Sequence, residues 1–236
     1  MGTYYRRHLL GSDLQRVYEL ASPRIRQYLQ AEVLNVVDRV RGAARLLELG
    51  CGYGRVLGEV APYVGRAVGI DIAPANLRAA ASYLRARPNC DLLRMNAIQL
   101  AFTDGWFDAV LCVQNGISAF GVDRSKLVSE AVRVASEGGQ ILFSTYSPHI
   151  WADRLEWFRA QARAGLIGPL DEAQSREGTV VCQDGLRLTT ATGDEFCDLF
   201  ARAGQRARIR EVDQSSVFAE VTKAGISSAR PSPGGV

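Results

Sequence analysis

The sequence predicts an α/β fold: a doubly wound, seven-stranded, mostly parallel sheet with an antiparallel C-terminal strand, helices on both faces and a small cap. Three observations support this prediction. Short apolar runs alternate with helical patterns between residues 45 and 146. A glycine-rich turn follows the first of these runs, at residues 50–54. Two strand patterns joined by a tight turn complete the series at residues 207–222 and favour an antiparallel pair.

The first part of the chain reads as helix followed by alternating strands and helices. Apolar residues recur at helical spacing over residues 13–40, where Ser22 and Pro23 suit the N-cap and first residue of a second segment. Helices are then predicted at 54–63, 74–85 and 126–136, the last ending at the glycine pair 138–139. Strands are predicted at 45–49, 67–70, 92–95, 107–113 and 140–146. In such sheets, ligands bind beyond the carboxyl ends of the strands.

The alternation lapses after residue 146. An aromatic-rich helix at 148–166, a polar loop and a hairpin around Asp184-Gly185 are predicted to form a cap insertion over residues 147–190. We interpret residues 1–226 as a single domain, with residues 1–40 as an N-terminal helical lid. Residues 227–236 are rich in serine, proline and glycine and are predicted to be a disordered tail.

Composition limits the class of protein. Of the residues, 47% are hydrophobic and 22% charged, which is typical of a globular domain. The net charge of +3 and pI of about 8.7 disfavour a nucleic-acid partner, because such domains have a pI above about 9. The densest basic cluster is interpreted as a solvated face, with an anion or nucleic-acid patch as the alternative: Arg202, Arg206, Arg208 and Arg210.

Other absences narrow the expected setting. Five widely spaced cysteines and two histidines predict neither a metal site nor a disulfide framework. No apolar segment follows the charged N-terminal residues, and no apolar run is long enough to span a bilayer. We therefore expect a cytoplasmic protein with no membrane partner, as a monomer or homodimer.

The strongest motif is the turn at residues 48–54, Glu-Leu-Gly-Cys-Gly-Tyr-Gly. Glycine permits positive φ and has no Cβ, so a ligand can approach the backbone closely. The helix that follows offers free N–H groups to an electronegative ligand group. The third glycine of the dinucleotide fingerprint is missing in either register, and the Gly-Lys-Ser/Thr of a P-loop is absent.

The Glu-x-Gly-x-Gly-x-Gly pattern resembles motif I of the class I S-adenosylmethionine (SAM)-dependent methyltransferases. The resemblance covers roughly residues 43–146. It includes Asp71, which ends the second strand 17 residues after Gly54, Asn96-Ala97 after the third strand, and the run 107–111 in the fourth. It implies transfer of a methyl group from SAM to an O, N or S nucleophile of a small molecule by in-line displacement.

The resemblance also implies where SAM binds. The glycines would face its amino-acid half, Asp71 would accept hydrogen bonds from both ribose hydroxyls, and residues 96–98 would contact adenine. The implied cofactor-binding residues are Tyr18, Glu48, Gly50, Cys51, Gly52, Gly54, Asp71, Ile72, Asn96, Ala97, Ile98, Gln114 and Asn115. Structural alternatives stay open: Asp71 as a helix N-cap, Glu48 as a buried carboxylate capping backbone amides, Asn96 as a turn residue, and Tyr18 as a packing residue.

The sequence says less about which molecule accepts the methyl group. The family's Asn/Asp-Pro-Pro-Tyr/Phe motif is absent, which disfavours methylation of a nucleic-acid base or a glutamine amide. Tyr146, Trp151 and Asn115 are predicted to contact the substrate, and His149 is the candidate base, with an incidental loop histidine as the alternative. Arg55 is expected to be exposed. The alternative functions are an RNA or protein methyltransferase and a non-catalytic SAM-binding domain.

Overall fold

The structure is a computed structural model that describes residue 4 and residues 9–225. The predicted tail at 227–236 lies outside the described residues. The helices are α1 (Ser12–Glu19), α2 (Pro23–Val40), α3 (Arg55–Val60), α4 (Pro74–Tyr83), α5 (Gly116–Ala119), α6 (Arg124–Val134), α7 (Trp151–Arg163) and α8 (Gly193–Arg202). The strands are β1 (Arg45–Leu49), β2 (Arg66–Asp71), β3 (Cys90–Arg94), β4 (Phe107–Cys112), β5 (Ala135–Tyr146), β6 (Val180–Val181), β7 (Arg187–Leu188), β8 (Arg208–Val212) and β9 (Ser216–Thr222).

Seven strands form one sheet in the order β3-β2-β1-β4-β5-β9-β8. Strands β1 to β5 pair in parallel, whereas β9 is antiparallel to both of its neighbours. The predicted fold class is therefore confirmed. The chain moves outward from β1 through β2 to β3 and then returns to the other side of β1 at β4. This reversal opens a crevice beyond the carboxyl ends of β1 and β4, where such sheets bind ligands.

The apolar runs form strands because both of their faces are buried. Leu46 and Leu47 are fully buried and belong to different hydrophobic clusters, one on each face of the sheet. Helix α2 begins as predicted, with the Ser22 hydroxyl accepting a hydrogen bond from the Ile25 N–H at 3.2 Å. The small hairpin around Asp184-Gly185 is also present, with Val180 opposite Leu188.

The predicted end of the helix at 126–136 is wrong. Helix α6 ends at Val134, and Ala135 already has extended backbone angles and pairs with Phe107 of β4. The Gly138 N–H donates to the Lys223 carbonyl at 2.9 Å, so the glycine pair lies within β5. Pairing with β4 and with the residue after β9 thus overrides the local helix-ending signal, and the β4–β5 register shifts between Phe107 and Ala109.

The lid helices and the cap pack against each other. Their apolar side chains share one cluster, in which α1 contributes Val17, α2 contributes Tyr28, and α7 contributes Trp157 and Phe158. The Trp157 indole N–H donates to the Val17 carbonyl at 2.9 Å. None of the helices within residues 9–225 is long and apolar enough to cross a membrane.

Candidate functional site

A cavity of about 420 Å³ lies at the carboxyl ends of β1, β2 and β4. This volume is within the range of small-molecule sites. The sheet forms its floor, and the lid and the cap form its opposite wall. Of the predicted site residues, those that line it are Tyr18, Glu48, Gly50, Cys51, Gly52, Asp71, Ile72, Asn96, Ala97, Gln114 and Tyr146.

The glycine turn needs glycine at each of its three positions. Gly50, Gly52 and Gly54 have φ of 71°, 56° and 89°, which side chains rarely adopt. A Cβ at Gly50 would lie 2.2 Å from Cζ of Phe120, and one at Gly54 would lie 2.8 Å from Cδ1 of Leu84. Gly54 is the N-cap of α3 and packs away from the cavity, so its role is to shape the turn.

Asp71 fastens this turn to the end of β2. Its Oδ2 accepts from the Gly52 N–H at 3.0 Å and from Asn76 Nδ2 at 3.3 Å, and its Oδ1 accepts from the Ala73 N–H at 2.8 Å. The N-cap of α4 is Ala73. Asp71 is therefore not the N-cap of this helix, which was its alternative role. Asp71 is 9% exposed, and the cavity is the surface that it reaches.

Two charged residues beside the turn have buried atoms without partners. Among the described residues, Glu48 Oε2 and the Nε and Nη2 atoms of Arg55 have no hydrogen-bond partner. Burial raises the pKa of Glu48 to about 8, although Arg55 opposes this shift. The side chain of Arg55 is only 15% exposed, so the expectation of an exposed residue is wrong. Lid residue Tyr18 covers it, with the guanidinium 5.2 Å from the ring centroid.

Glu32 of α2 is a site residue that sequence reasoning missed. It is fully buried, and its Oε1 accepts from Ser144 Oγ at 2.6 Å and from the Gln114 N–H at 3.2 Å. Its Oε2 accepts from Gln114 Nε2 at 2.8 Å and lies 3.9 Å from Arg55 Nη2. A signal was present, because Glu32 occupies the apolar stripe of α2, three residues after Leu29.

Glu32 thereby fixes the turn that follows β4. Gln114 has a φ of 57° in a left-handed conformation that is uncommon for a residue with a side chain. Its backbone N–H and side-chain amide both bond Glu32, and its Oε1 accepts from the Tyr18 hydroxyl at 2.6 Å. The lid and the strand ends are thus joined through one buried carboxylate.

Besides Gly54, two predicted cofactor residues do not line the cavity. Asn115 is buried beneath it, where its amide donates to the Thr189 carbonyl at 2.9 Å and accepts from the Thr145 hydroxyl at 2.7 Å. Ile98 packs against the sheet cluster instead, and its N–H donates to Asn96 Oδ1 at 3.2 Å. Asn96 thus has the turn geometry of its structural alternative while also lining the cavity.

The structure does not bring His149 or Trp151 to the cavity. The His149 side chain is 64% exposed, and its Nδ1 lies 2.7 Å from Oε1 of Glu211. This position contradicts the interpretation of His149 as a base. Helix α7 turns a different face inward, because its buried positions are Arg154, Trp157, Phe158 and Gln161. The last three of these line the cavity.

Comparison with known proteins agrees with this fold. The family model described as a methyltransferase domain matches residues 46–139, which include β1, the glycine turn and Asp71. Over this segment the chain is similar to methyltransferases. A solved SAM-dependent methyltransferase from Methanosarcina mazei has the same fold, with a TM-score of 0.60 at 18% identity, over 81% of this chain and 98% of that one.

Two curated relatives match part of the chain. Norajmaline N-methyltransferase of Rauvolfia serpentina is 28% identical over 114 residues, which is 47% of this chain and 38% of the relative. Tocopherol O-methyltransferase of Arabidopsis thaliana is 32% identical over 108 residues, 43% of this chain and 30% of the relative. The chain therefore matches less than half the length of either relative.

Proposed function

We propose that this protein is an enzyme that transfers the methyl group of SAM to an O, N or S nucleophile of a small molecule. The observation that carries the proposal is the cavity at the carboxyl ends of β1, β2 and β4. It combines a Cβ-free backbone turn with acidic and basic atoms on Glu48 and Arg55 that have no hydrogen-bond partner among the described residues. The relatives' names, an N- and an O-methyltransferase, support a small-molecule acceptor.

The cavity residues fit the two charged groups of the cofactor's amino-acid end. That end carries an ammonium and a carboxylate. Glu48 Oε2 suits the ammonium, and the unpartnered guanidinium atoms of Arg55 suit the carboxylate. Both sets of atoms are buried, so pairing with a ligand would remove the cost of leaving them unsatisfied.

Asp71 would hold the ribose with fewer hydrogen bonds than the family resemblance implies. A carboxylate offers about four acceptor positions, and the Gly52, Ala73 and Asn76 donors use three of them. We therefore assign Asp71 one direct hydrogen bond to a ribose hydroxyl rather than two. Asn96 and Ala97, which line the cavity beside Met95, would contact the adenine.

The bound cofactor would supply a methyl group already activated by its sulfonium. The task of the chain is then to position the nucleophile and exclude water. The packed lid and cap cover the cavity for this purpose. Among the described cavity residues, the carboxylates belong to Glu48 and Asp71, both assigned to the cofactor, so the proposal names no general base.

Isothermal titration of the folded protein with SAM and with its demethylated product, S-adenosylhomocysteine, tests the proposal. We expect both ligands to bind with micromolar dissociation constants. No binding of either ligand at millimolar concentration would refute it. Binding without turnover of any acceptor would instead favour a non-catalytic SAM-binding domain, and salt-dependent RNA binding would favour the RNA methyltransferase alternative.

A further inference from the structure

The cavity extends beyond the glycine turn to an aromatic wall, which we define as Tyr18, Tyr146, Trp157 and Phe158. These residues come from the lid, the end of β5 and the cap, and all of them line the cavity. The rings of Tyr18 and Trp157 meet edge to face with centroids 5.9 Å apart, and those of Trp157 and Phe158 are 6.4 Å apart. The wall is therefore a packed unit with defined ring positions.

Two polar groups of this wall, on Trp157 and Tyr18, are used within the protein. The Trp157 indole N–H donates to the Val17 carbonyl, and the Tyr18 hydroxyl donates to Gln114 Oε1. These two rings consequently offer the cavity apolar surface rather than hydrogen-bond donors. A polar ligand group would lose its hydrogen bonds to water on binding against these two rings, and the rings would not replace them.

The ring faces are also unsuited to a cationic ligand, although aromatic rings often bind cations. The Arg154 guanidinium lies 4.3 Å from the Tyr146 centroid and 5.5 Å from that of Phe158. The Arg55 guanidinium lies 5.2 Å from the centroid of Tyr18. Three of the four rings thus already contact an arginine, and a second cation would meet like charge.

One neutral polar group stands beside the wall. Of the described cap residues, those lining the cavity are Trp157, Phe158 and Gln161, and none of them carries a charge. Gln161 is 2% exposed, and its amide can both donate and accept. Of the charged cavity residues, Glu48 and Asp71 lie at the glycine turn, and Arg55 follows the turn and reaches the Tyr18 ring of the wall.

We propose that the aromatic wall binds the methyl acceptor, and that this acceptor is an uncharged, flat, mainly apolar small molecule with a polar group that pairs with Gln161. The inference rests on the proposed function, because it assigns the rest of the cavity to SAM. The rings would contact the flat face of the acceptor, and Gln161 would set its orientation. A cationic acceptor would lose hydration beside rings that already contact Arg55 and Arg154. An anionic acceptor would lose hydration too, because none of the described cap residues that line the cavity is charged.

Four naphthalene-sized probes test this inference on the full chain saturated with S-adenosylhomocysteine. They are 2-naphthol, naphthalene-2-carboxylate, 2-naphthylmethylammonium, and the non-flat decahydro-2-naphthol. Titration calorimetry gives each dissociation constant. We expect 2-naphthol to bind at least about tenfold more tightly than either charged probe, and more tightly than the saturated alcohol.

Variants at Gln161 test the polar contact. We expect Gln161→Leu to weaken 2-naphthol binding about threefold to tenfold, the worth of one hydrogen bond, while S-adenosylhomocysteine affinity stays unchanged. Gln161→Met, which keeps the length of the side chain, should behave in the same way and serves if the leucine variant does not fold. Gln140→Leu, in the middle of β5 and outside the cavity, is the matched control and should leave both affinities unchanged.

The outcomes separate the two proposals. If S-adenosylhomocysteine fails to bind, the proposed function is wrong and this inference is lost with it. If it binds but a charged probe equals 2-naphthol, or 2-naphthol fails to bind, only the acceptor inference is overturned. The same holds if both Gln161 variants bind 2-naphthol as tightly as the unaltered protein.

Discussion

The two halves of the cavity are built in different ways. The glycine-turn half is mainly backbone, set by positive φ at Gly50, Gly52 and Gly54 and by amide donors to Asp71. The aromatic half consists of side chains from distant parts of the chain, such as Trp157, whose indole bonds a carbonyl 140 positions earlier. The shape of the glycine-turn half is therefore determined by residues that are close in sequence. The shape of the aromatic half depends on tertiary packing.

Glu32 connects these halves. It is on the lid, but its partner Ser144 lies in β5, its partner Gln114 follows β4, and Arg55 begins the helix after the glycine turn. Because Glu32 links the two halves, we expect its loss to lower the free energy of unfolding more than the loss of any single residue within either half.

The largest expected effect is therefore that of Glu32→Ala. Removal of the carboxylate leaves Arg55 without its buried counter-charge, and the Ser144 hydroxyl and the Gln114 side-chain amide each lose an acceptor. We expect the free energy of unfolding to fall by about 3–5 kcal/mol, measured by urea unfolding. Asp38→Ala, at an exposed position of the same helix, should change it by less than about 0.5 kcal/mol. A loss below about 1 kcal/mol for Glu32→Ala would show that the halves are held together by other contacts.

A smaller and pH-dependent effect is expected at Glu48. Burial raises its pKa from 4.5 to about 8, so the folded protein binds a proton that the unfolded chain releases. This contribution to stability is fully present below pH 4.5, declines as the pH rises, and is lost above about pH 8. Glu48→Gln cannot ionise, so it should become more stable than the unaltered protein across this range.

We expect the difference in unfolding free energy between Glu48→Gln and the unaltered protein to grow by about 2–4 kcal/mol between pH 4.5 and pH 9. Urea unfolding at several pH values measures it. Glu59→Gln, exposed on the same helix as Arg55, is the control and should show no such trend. A flat difference for Glu48→Gln would mean that Arg55 keeps the carboxylate ionised.

The two halves of the cavity also differ in how well the sequence predicts them. The strands, the glycine turn and the position of Asp71 were predictable, because short-range periodicity and φ preferences determine them. The end of the helix predicted at 126–136 was wrong, because the glycine pair at 138–139 lies within β5 and does not end a helix. On the cap, the face that α7 turns inward depends on the lid that it packs against, so Trp151 was predicted where Trp157 lies.

In the cofactor half, Asp71→Ala should weaken S-adenosylhomocysteine binding by at least about tenfold, or 1.5–3 kcal/mol for one hydrogen bond to a charged group. Calorimetry at constant pH measures this, and circular dichroism confirms that the variant is folded. Asp91→Ala on the neighbouring strand removes a carboxylate that pairs with Arg66, outside the cavity. This control should bind normally. An affinity change below about twofold for Asp71→Ala would mean that the residue only fastens the turn.

The smallest expected effect tests the packing of the aromatic half. Trp157→Phe keeps a ring but removes the donor to the Val17 carbonyl, so the free energy of unfolding should fall by about 1 kcal/mol. Trp106→Phe is a matched control, because Trp106 is 48% exposed and should change stability by less than about 0.5 kcal/mol. Within the described part of the chain, the ring pairs of Trp157 are with Tyr18 of the lid and Phe158 of the cap. The change should therefore weaken 2-naphthol binding and leave S-adenosylhomocysteine affinity intact. Equal losses for both ligands would contradict the division of the cavity, because they would show that the aromatic wall also supports the glycine-turn half.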